Sequence, residues 1–145
     1  MTRRLTLFAL GLLALLAFPG ALSAQAVSEA EAQEFQRIIT DQLSAFNADD
    51  GAAAYGFAAP AIKRLFPSPE IFMSMVQKGY PPIYRRQSYS FGRIGNEMGG
   101  APTQHVTIID VNGKAWTALY AMQRQPDGSW KIVGCQLVAA PAADA

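Results

Sequence analysis

One histidine, His105, and one cysteine, Cys135, flank Tyr120 in the second half of this 145-residue chain. An imidazole, a phenol and a thiol on one face make a proton-transfer site. A Cys–His pair makes a nucleophile site. The competing reading is plain packing: a solitary cysteine behaves as a small buried hydrophobe, and each of the three is then satisfied by one hydrogen bond or by none. His105, Tyr120 and Cys135 are therefore catalytic candidates only if the fold brings them together. A single histidine and a single cysteine do not make a zinc site, and the sequence contains no phosphate loop or serine triad. No metal or cofactor is expected.

A second group lies between Glu70 and Glu97. Lys78, Arg85, Arg86 and Arg93 occur there with no acid between them, and Tyr80, Tyr84 and Tyr89 interleave. Arginines hold carboxylates and phosphates through paired N–H donors, whereas charge runs commonly solvate. Arg93 shares a strand face with Tyr89 and Phe91 and is expected at a pocket mouth. Tyr55, Phe72, Met75 and Trp116 either line an apolar ligand cavity or form core. The ligand-binding candidates are thus Tyr55, Tyr80, Tyr84, Arg93 and Trp116, for a small apolar or anionic molecule. Asp49-Asp50 reads as helix capping rather than as a base or metal site. Asp41 falls off the apolar stripe of its helix.

The elements that must position these groups divide into helices first and strands second. Phe35, Ile39, Leu43 and Phe46 recur at helical spacing, with Ile38 beside them, and Ser28 with Glu31 matches a capping box. Asp49-Asp50-Gly51 turns the chain into a short helix through Tyr55, Phe57 and Ala58, which Pro60 limits. Ala61 to Phe66 makes a further helical turn. Ser68-Pro69-Glu70 starts a helix, which Gly79 stops and Tyr80-Pro81-Pro82 does not continue. From Gln87 the period becomes two. Gly95 to Pro102 reads as a loop, His105 to Val111, Lys114 to Arg124 and Trp130 to Val138 as strands, and Ala139 to Ala145 as a frayed tail.

A two-residue turn at Asn112-Gly113 sets His105 opposite Tyr120 and Ile109 opposite Trp116. A four-residue turn at Pro126 to Ser129 sets Tyr120 opposite Cys135 and Met122 opposite Val133. His105, Thr107, Ile109, Val111, Trp116, Ala118, Tyr120, Met122, Val133, Cys135 and Leu137 then share the face toward the helices. Ile108, Leu119 and Ile132 face outward, where their apolar character suits a homodimer through the sheet.

Gln42-Leu-Ser-Ala-Phe46 with Asp49-Asp50, Tyr55 to Pro60, Met75-Val76 with Gly79-Tyr80, and Asp127-Gly-Ser-Trp130 with Gly134-Cys135 together resemble the family called domain of unknown function 4864. The resemblance covers nearly all of Ser28 to Val138. Helices followed by a curved sheet also resemble the nuclear transport factor 2-like superfamily. The resemblance implies an α+β fold, with N-terminal helices packed in the concave face of a curved antiparallel sheet of about four strands. That superfamily includes isomerases, dehydratases and cyclases as well as non-catalytic binding domains, so fold does not choose the function.

The first 26 residues read as a cleavable export signal. Arg3-Arg4 precede 14 apolar positions from Leu5 to Phe18, and Ala24-Gln25-Ala26 offers small residues for cleavage after Ala26. The apolar run is shorter than the ~20 residues needed to span hydrocarbon, so no membrane anchor is expected once the signal is gone. The expected product is one domain, Val27 to Val138 plus the tail, in the periplasm or secreted. Loss of Arg3 and Arg4 leaves ten basic against eleven acidic residues, a balance that does not suit nucleic acid. The single cysteine offers no intrachain disulfide. The leading expectation is non-catalytic binding of a small molecule or partner protein. The alternatives are an isomerase, dehydratase or cyclase using a pocket around His105 and Tyr120, and a homodimeric interaction domain.

Overall fold

The computed structural model describes residues 26–141. The expected export signal therefore lies outside the described residues, save for Ala26. Helix α1 (Glu29–Asn47) begins at the expected capping box: the Glu31 N–H donates to the Ser28 hydroxyl at 3.1 Å, and the Ser28 N–H to the Glu31 carboxylate at 3.2 Å. Its stripe of Phe35, Ile38, Ile39, Leu43 and Phe46 is buried. Helix α2 (Gly51–Gly56) is capped by Asp50, which accepts the Ala53 N–H at 3.1 Å. Pro60 bounds that helix and also opens α3 (Pro60–Leu65). Helix α4 (Pro69–Gly79) starts on Ser68, whose hydroxyl accepts the Ile71 N–H at 3.2 Å. The prolines after Gly79 do more than stop α4. Pro81 takes the first position of a one-turn helix, α5 (Pro81–Tyr84), where its fixed φ and missing N–H cost nothing.

Four strands follow, β1 (Ser88–Met98), β2 (Ala101–Ile109), β3 (Ala115–Arg124) and β4 (Trp130–Ala139), antiparallel and in sequence order. The helices pack on one side of this curved sheet, so the α+β expectation holds. The core is the α1 stripe with Phe72 and Val76 of α4 against Val106, Ile108, Ala118, Tyr120, Met122 and Ile132. Phe35 meets Trp130 edge to face at 4.8 Å.

The turns depart from the sequence reading in a consistent way. The segment expected as a loop, Gly95 to Pro102, is mostly strand: Met98 pairs with Ala101 across Gly99-Gly100, both at positive φ, the geometry of a two-residue hairpin. At Asn112-Gly113 the loop has three residues instead of two. Asp110 N–H donates to Lys114 C=O at 2.9 Å, Gly113 N–H to Asp110 C=O at 3.0 Å, and Gly113 has φ +83°. Asp110 explains the choice. In this loop its carboxylate accepts the N–H groups of Asn112 and Lys114 at 2.9 Å each, and the Trp116 indole N–H at 3.0 Å. The third hairpin repeats this three-residue pattern, with Gln125 N–H donating to Ser129 C=O at 2.7 Å and Gly128 at φ +85°.

A loop of odd length flips β2 relative to β3. Gln104, Val106 and Ile108 now oppose Tyr120, Ala118 and Trp116 on the helix side. His105, Thr107 and Ile109 face outward, which corrects the expected face. Ile108 and Ile132 are core, so the outward apolar set of Ile108, Leu119 and Ile132 does not exist as expected. The three-residue loop between β3 and β4 sets Met122 opposite Ile132 rather than Val133; a bulge at Val133 of β4, opposite Ala121 and Met122, then restores the register, so Tyr120–Cys135 and Ala118–Leu137 pair as read.

Candidate functional site

The helices do not fill the concave face. A cavity of about 370 Å³ opens between them and the sheet, at the small end of the roughly 300–1,000 Å³ typical of ligand pockets. Gln42 and Phe46 enter it from α1, Ile62, Leu65 and Phe66 from α3 and its C-cap, and Phe72, Met75, Val76 and Tyr80 from α4 and its end. Tyr120 and the stretch Ile132 to Cys135 close it from β3 and β4. Backbone bonds tie the link between α2 and α3 to β4: Ala59 N–H to Ile132 C=O at 2.8 Å, and Ile132 N–H to Phe57 C=O at 2.9 Å.

Two of the three catalytic candidates meet here. Tyr120 is 1% exposed, and its hydroxyl meets only the Cys135 thiol, without good hydrogen-bond geometry. Burial holds its phenol well above the usual value; Cys135 adds to the rise and Arg86 opposes it. Burial likewise pushes the Cys135 thiol up to about 12, with Tyr120 pulling the other way. Both groups are therefore protonated near neutral pH, and a thiol is a nucleophile only as its thiolate. The third candidate is elsewhere. His105 lies on the outer face, where its Nε2 sits 2.8 Å from the Glu97 carboxylate. The grouping of His105 with Tyr120 is thus corrected by the turn at Asp110.

The binding candidates separate in the same manner. Tyr80 lines the cavity and donates its hydroxyl to Cys135 C=O at 3.1 Å. Tyr55 stands behind the lining, 5.6 Å from Phe72 ring to ring, and donates to Phe66 C=O at 2.7 Å. Trp116 lies away from the cavity with its indole on Asp110, under Lys114 at 4.2 Å. Tyr84 donates to Asp49. Arg93 is not at a pocket mouth. A bulge between Phe91 and Ile94 turns it outward, 67% exposed, onto Glu97 at 2.6 Å.

The basic run has a structural task in its middle. Helix α1 has no basic residue in its last turn; the N–H groups of Ala48, Asp49 and Asp50 close onto Ser44, Phe46 and Ala45 carbonyls, and arginines from far along the chain add charged donors there. Arg86 donates to Leu43 C=O at 2.9 Å and to Ile83 C=O at 2.7 Å. Arg85 donates to Phe46 C=O at 2.6 Å and to both Asp49 oxygens at 3.0 Å. Asp49 itself has φ +52°, a left-handed position usually given to glycine or asparagine. Tyr84 and then Arg85 hold its carboxyl below the usual range. Among the described residues no group of three or more His, Cys, Asp or Glu side chains could hold a metal ion, and no helix is long and apolar enough to cross a membrane.

The family model described as Domain of unknown function (DUF4864) matches residues 28–145. The chain belongs to this family. Comparison with curated proteins and with solved structures gives no match. Several of the DUF4864-like stretches bear directly on the cavity: Gln42 to Phe46 supplies two lining residues from α1, Met75-Val76 two from α4, and Gly134-Cys135 two from the sheet.

Two polar residues escaped the sequence reading. Gln42 is buried and donates to Ala54 C=O at 3.2 Å, tying α1 to α2. Gln104 is fully buried and donates to Gly92 and His105 carbonyls at 2.9 Å each, bridging the β1 bulge. An apolar stripe identifies neither, although a glutamine at a position that periodicity assigns to the core is a signal in itself.

Proposed function

We propose that this DUF4864 domain is an exported binding protein that holds a small, largely apolar molecule in the cavity between its helices and its sheet. The observation that carries the reading is the cavity itself, walled mainly by Phe, Ile, Leu, Met and Val and containing no charged side chain. Convergence of a few polar groups on an apolar hollow is the usual design of a small-molecule site. The protonated state of Tyr120 and Cys135 supports binding over base or nucleophile chemistry. Placement of helices in the hollow of a curved sheet supports membership of the nuclear transport factor 2-like superfamily. The signal-like first 26 residues support action in the periplasm or outside the cell.

The test uses the fluorescent apolar probe N-phenyl-1-naphthylamine with the purified domain. Wild-type protein should bind it saturably with a blue shift, and Met75→Trp, which fills the cavity from α4, should weaken binding about ten-fold or more while keeping the wild-type circular dichroism. Equal binding by a folded Met75→Trp protein would place the probe elsewhere and remove the reading. An intact mass beginning at Val27 in protein recovered from the cell envelope would support export, and a retained leader would oppose it.

A further inference from the structure

Resting on the binding reading above, we propose that the molecule held in the cavity is electrically neutral and carries a hydrogen-bond acceptor, such as a ketone or ester oxygen, that receives the proton of the Tyr120 hydroxyl. Four polar side chains reach the wall: Gln42, Tyr80, Tyr120 and Cys135. The Gln42 amide donates to Ala54 C=O and the Tyr80 hydroxyl to Cys135 C=O. The Cys135 S–H is a weak donor. Tyr120 alone is a strong donor whose sole partner is the Cys135 thiol, a weak acceptor, on a side chain that is 1% exposed. Leaving such a donor so weakly paired is unfavourable, and its place in the middle of β3, between Gln104 and Cys135, gives it little freedom to seek a partner elsewhere. An oxygen acceptor inside the cavity would give it a full partner.

Charge sets the other half of the inference. No lysine, arginine or histidine lines the cavity. Arg86, the cation that acts on Tyr120, has its guanidinium committed to the Leu43 and Ile83 carbonyls. A carboxylate entering this space would lose its hydration and gain no counter-charge, which is strongly unfavourable. A neutral acceptor avoids that cost. The geometry thus selects against the anionic ligands that the basic run in the sequence suggested.

Three matched probes separate the possibilities: 2-acetylnaphthalene, 2-ethylnaphthalene and 2-naphthoate, each titrated against bound N-phenyl-1-naphthylamine. The ketone should displace the dye about ten-fold more tightly than the hydrocarbon, the gain of one well-placed neutral hydrogen bond in a dry site. The naphthoate should be the weakest. In Tyr120→Phe the ketone's advantage should vanish while 2-ethylnaphthalene binds as in wild type, which also reports that the variant is folded. Equal binding of ketone and hydrocarbon in wild type would overturn the inference and leave the binding reading standing. So would an advantage that survives Tyr120→Phe, or a naphthoate that binds best. Failure of every probe, the dye included, would remove both.

Discussion

Cys135 and Tyr120 are adjacent ionisable groups whose environment keeps both in the neutral form. For Cys135 this makes stability depend on pH with a definite sign. In the unfolded chain a thiol ionises near 8.5, whereas in the fold it holds its proton up to about 12. Between those values the folded state binds the proton and the unfolded state does not, so stability is complete below the unfolded value and falls as pH rises. The slope is at most about 1.4 kcal/mol per pH unit for one proton. Urea midpoints measured from pH 7 to 10.5 should therefore drop above pH 9, and Cys135→Ala should drop less steeply over the same range. A wild-type curve as flat as that of the variant would show that the half-buried thiol is not held protonated by the fold. At this scale the sequence was partly informative. It named Tyr120 and Cys135 as neighbours across β3 and β4, and they are. It misplaced His105 because a single carboxylate, Asp110, draws the backbone into a loop one residue longer than Asn112-Gly113 alone would prefer.

Among the elements, the arginines give the clearest contrast. Arg86 is half-buried and completes the C-terminus of α1, and burial lowers its pKa from the usual guanidinium value. Arg93 is an exposed partner of Glu97 on the outer face. Hydrogen bonds from a charged donor contribute about 1.5–3 kcal/mol, while an exposed ion pair contributes about 0–1 kcal/mol. Arg86→Ala should therefore destabilise by roughly 2 kcal/mol or more in urea unfolding, and Arg93→Ala by less than about 1 kcal/mol. Similar losses for the two would overturn the distinction. Both residues sit in one basic run, and nothing in their spacing separates them. What separates them is tertiary: one faces a helix end formed 43 positions earlier, the other lies on a bulge that redirects its strand. Helix starts, by contrast, were legible, because Ser28, Asp50 and Ser68 act on N–H groups within three residues. Strand faces were less so, since they hang on the parity of two loops and on the bulges.

For the molecule as a whole, the weak part of the cavity wall is α3. It has six residues, none buried and none providing a side-chain cap, and Leu65 at its end is 73% exposed. Short elements with few buried contacts open with free energies far below the global value. Amide exchange at Ile62, Lys63 and Phe66 should accordingly run at least about 100-fold faster than at Ile39 or Leu43 in α1, and saturating N-phenyl-1-naphthylamine should slow it. Protection in α3 equal to that in α1 would show a rigid wall instead. The overall α+β layout followed from the change of period at Gln87, a global signal. The cavity did not, because a hollow is set by how far helices stand off a sheet, and no local pattern encodes that distance.

The arginine caps on α1 couple the end of that helix to residues made much later. As the chain is made or refolds, the capping box at Ser28 is available at once, so the helix has its beginning from the start. Its end is only partly available: the Ala48, Asp49 and Asp50 N–H groups close locally, but the guanidinium donors to Leu43 and Phe46 arrive 43 and 39 residues later. A peptide spanning residues 28–58 should hold its first turns and fray from Leu43 onward. The first helix of this domain is thus finished by the segment that leads into the sheet.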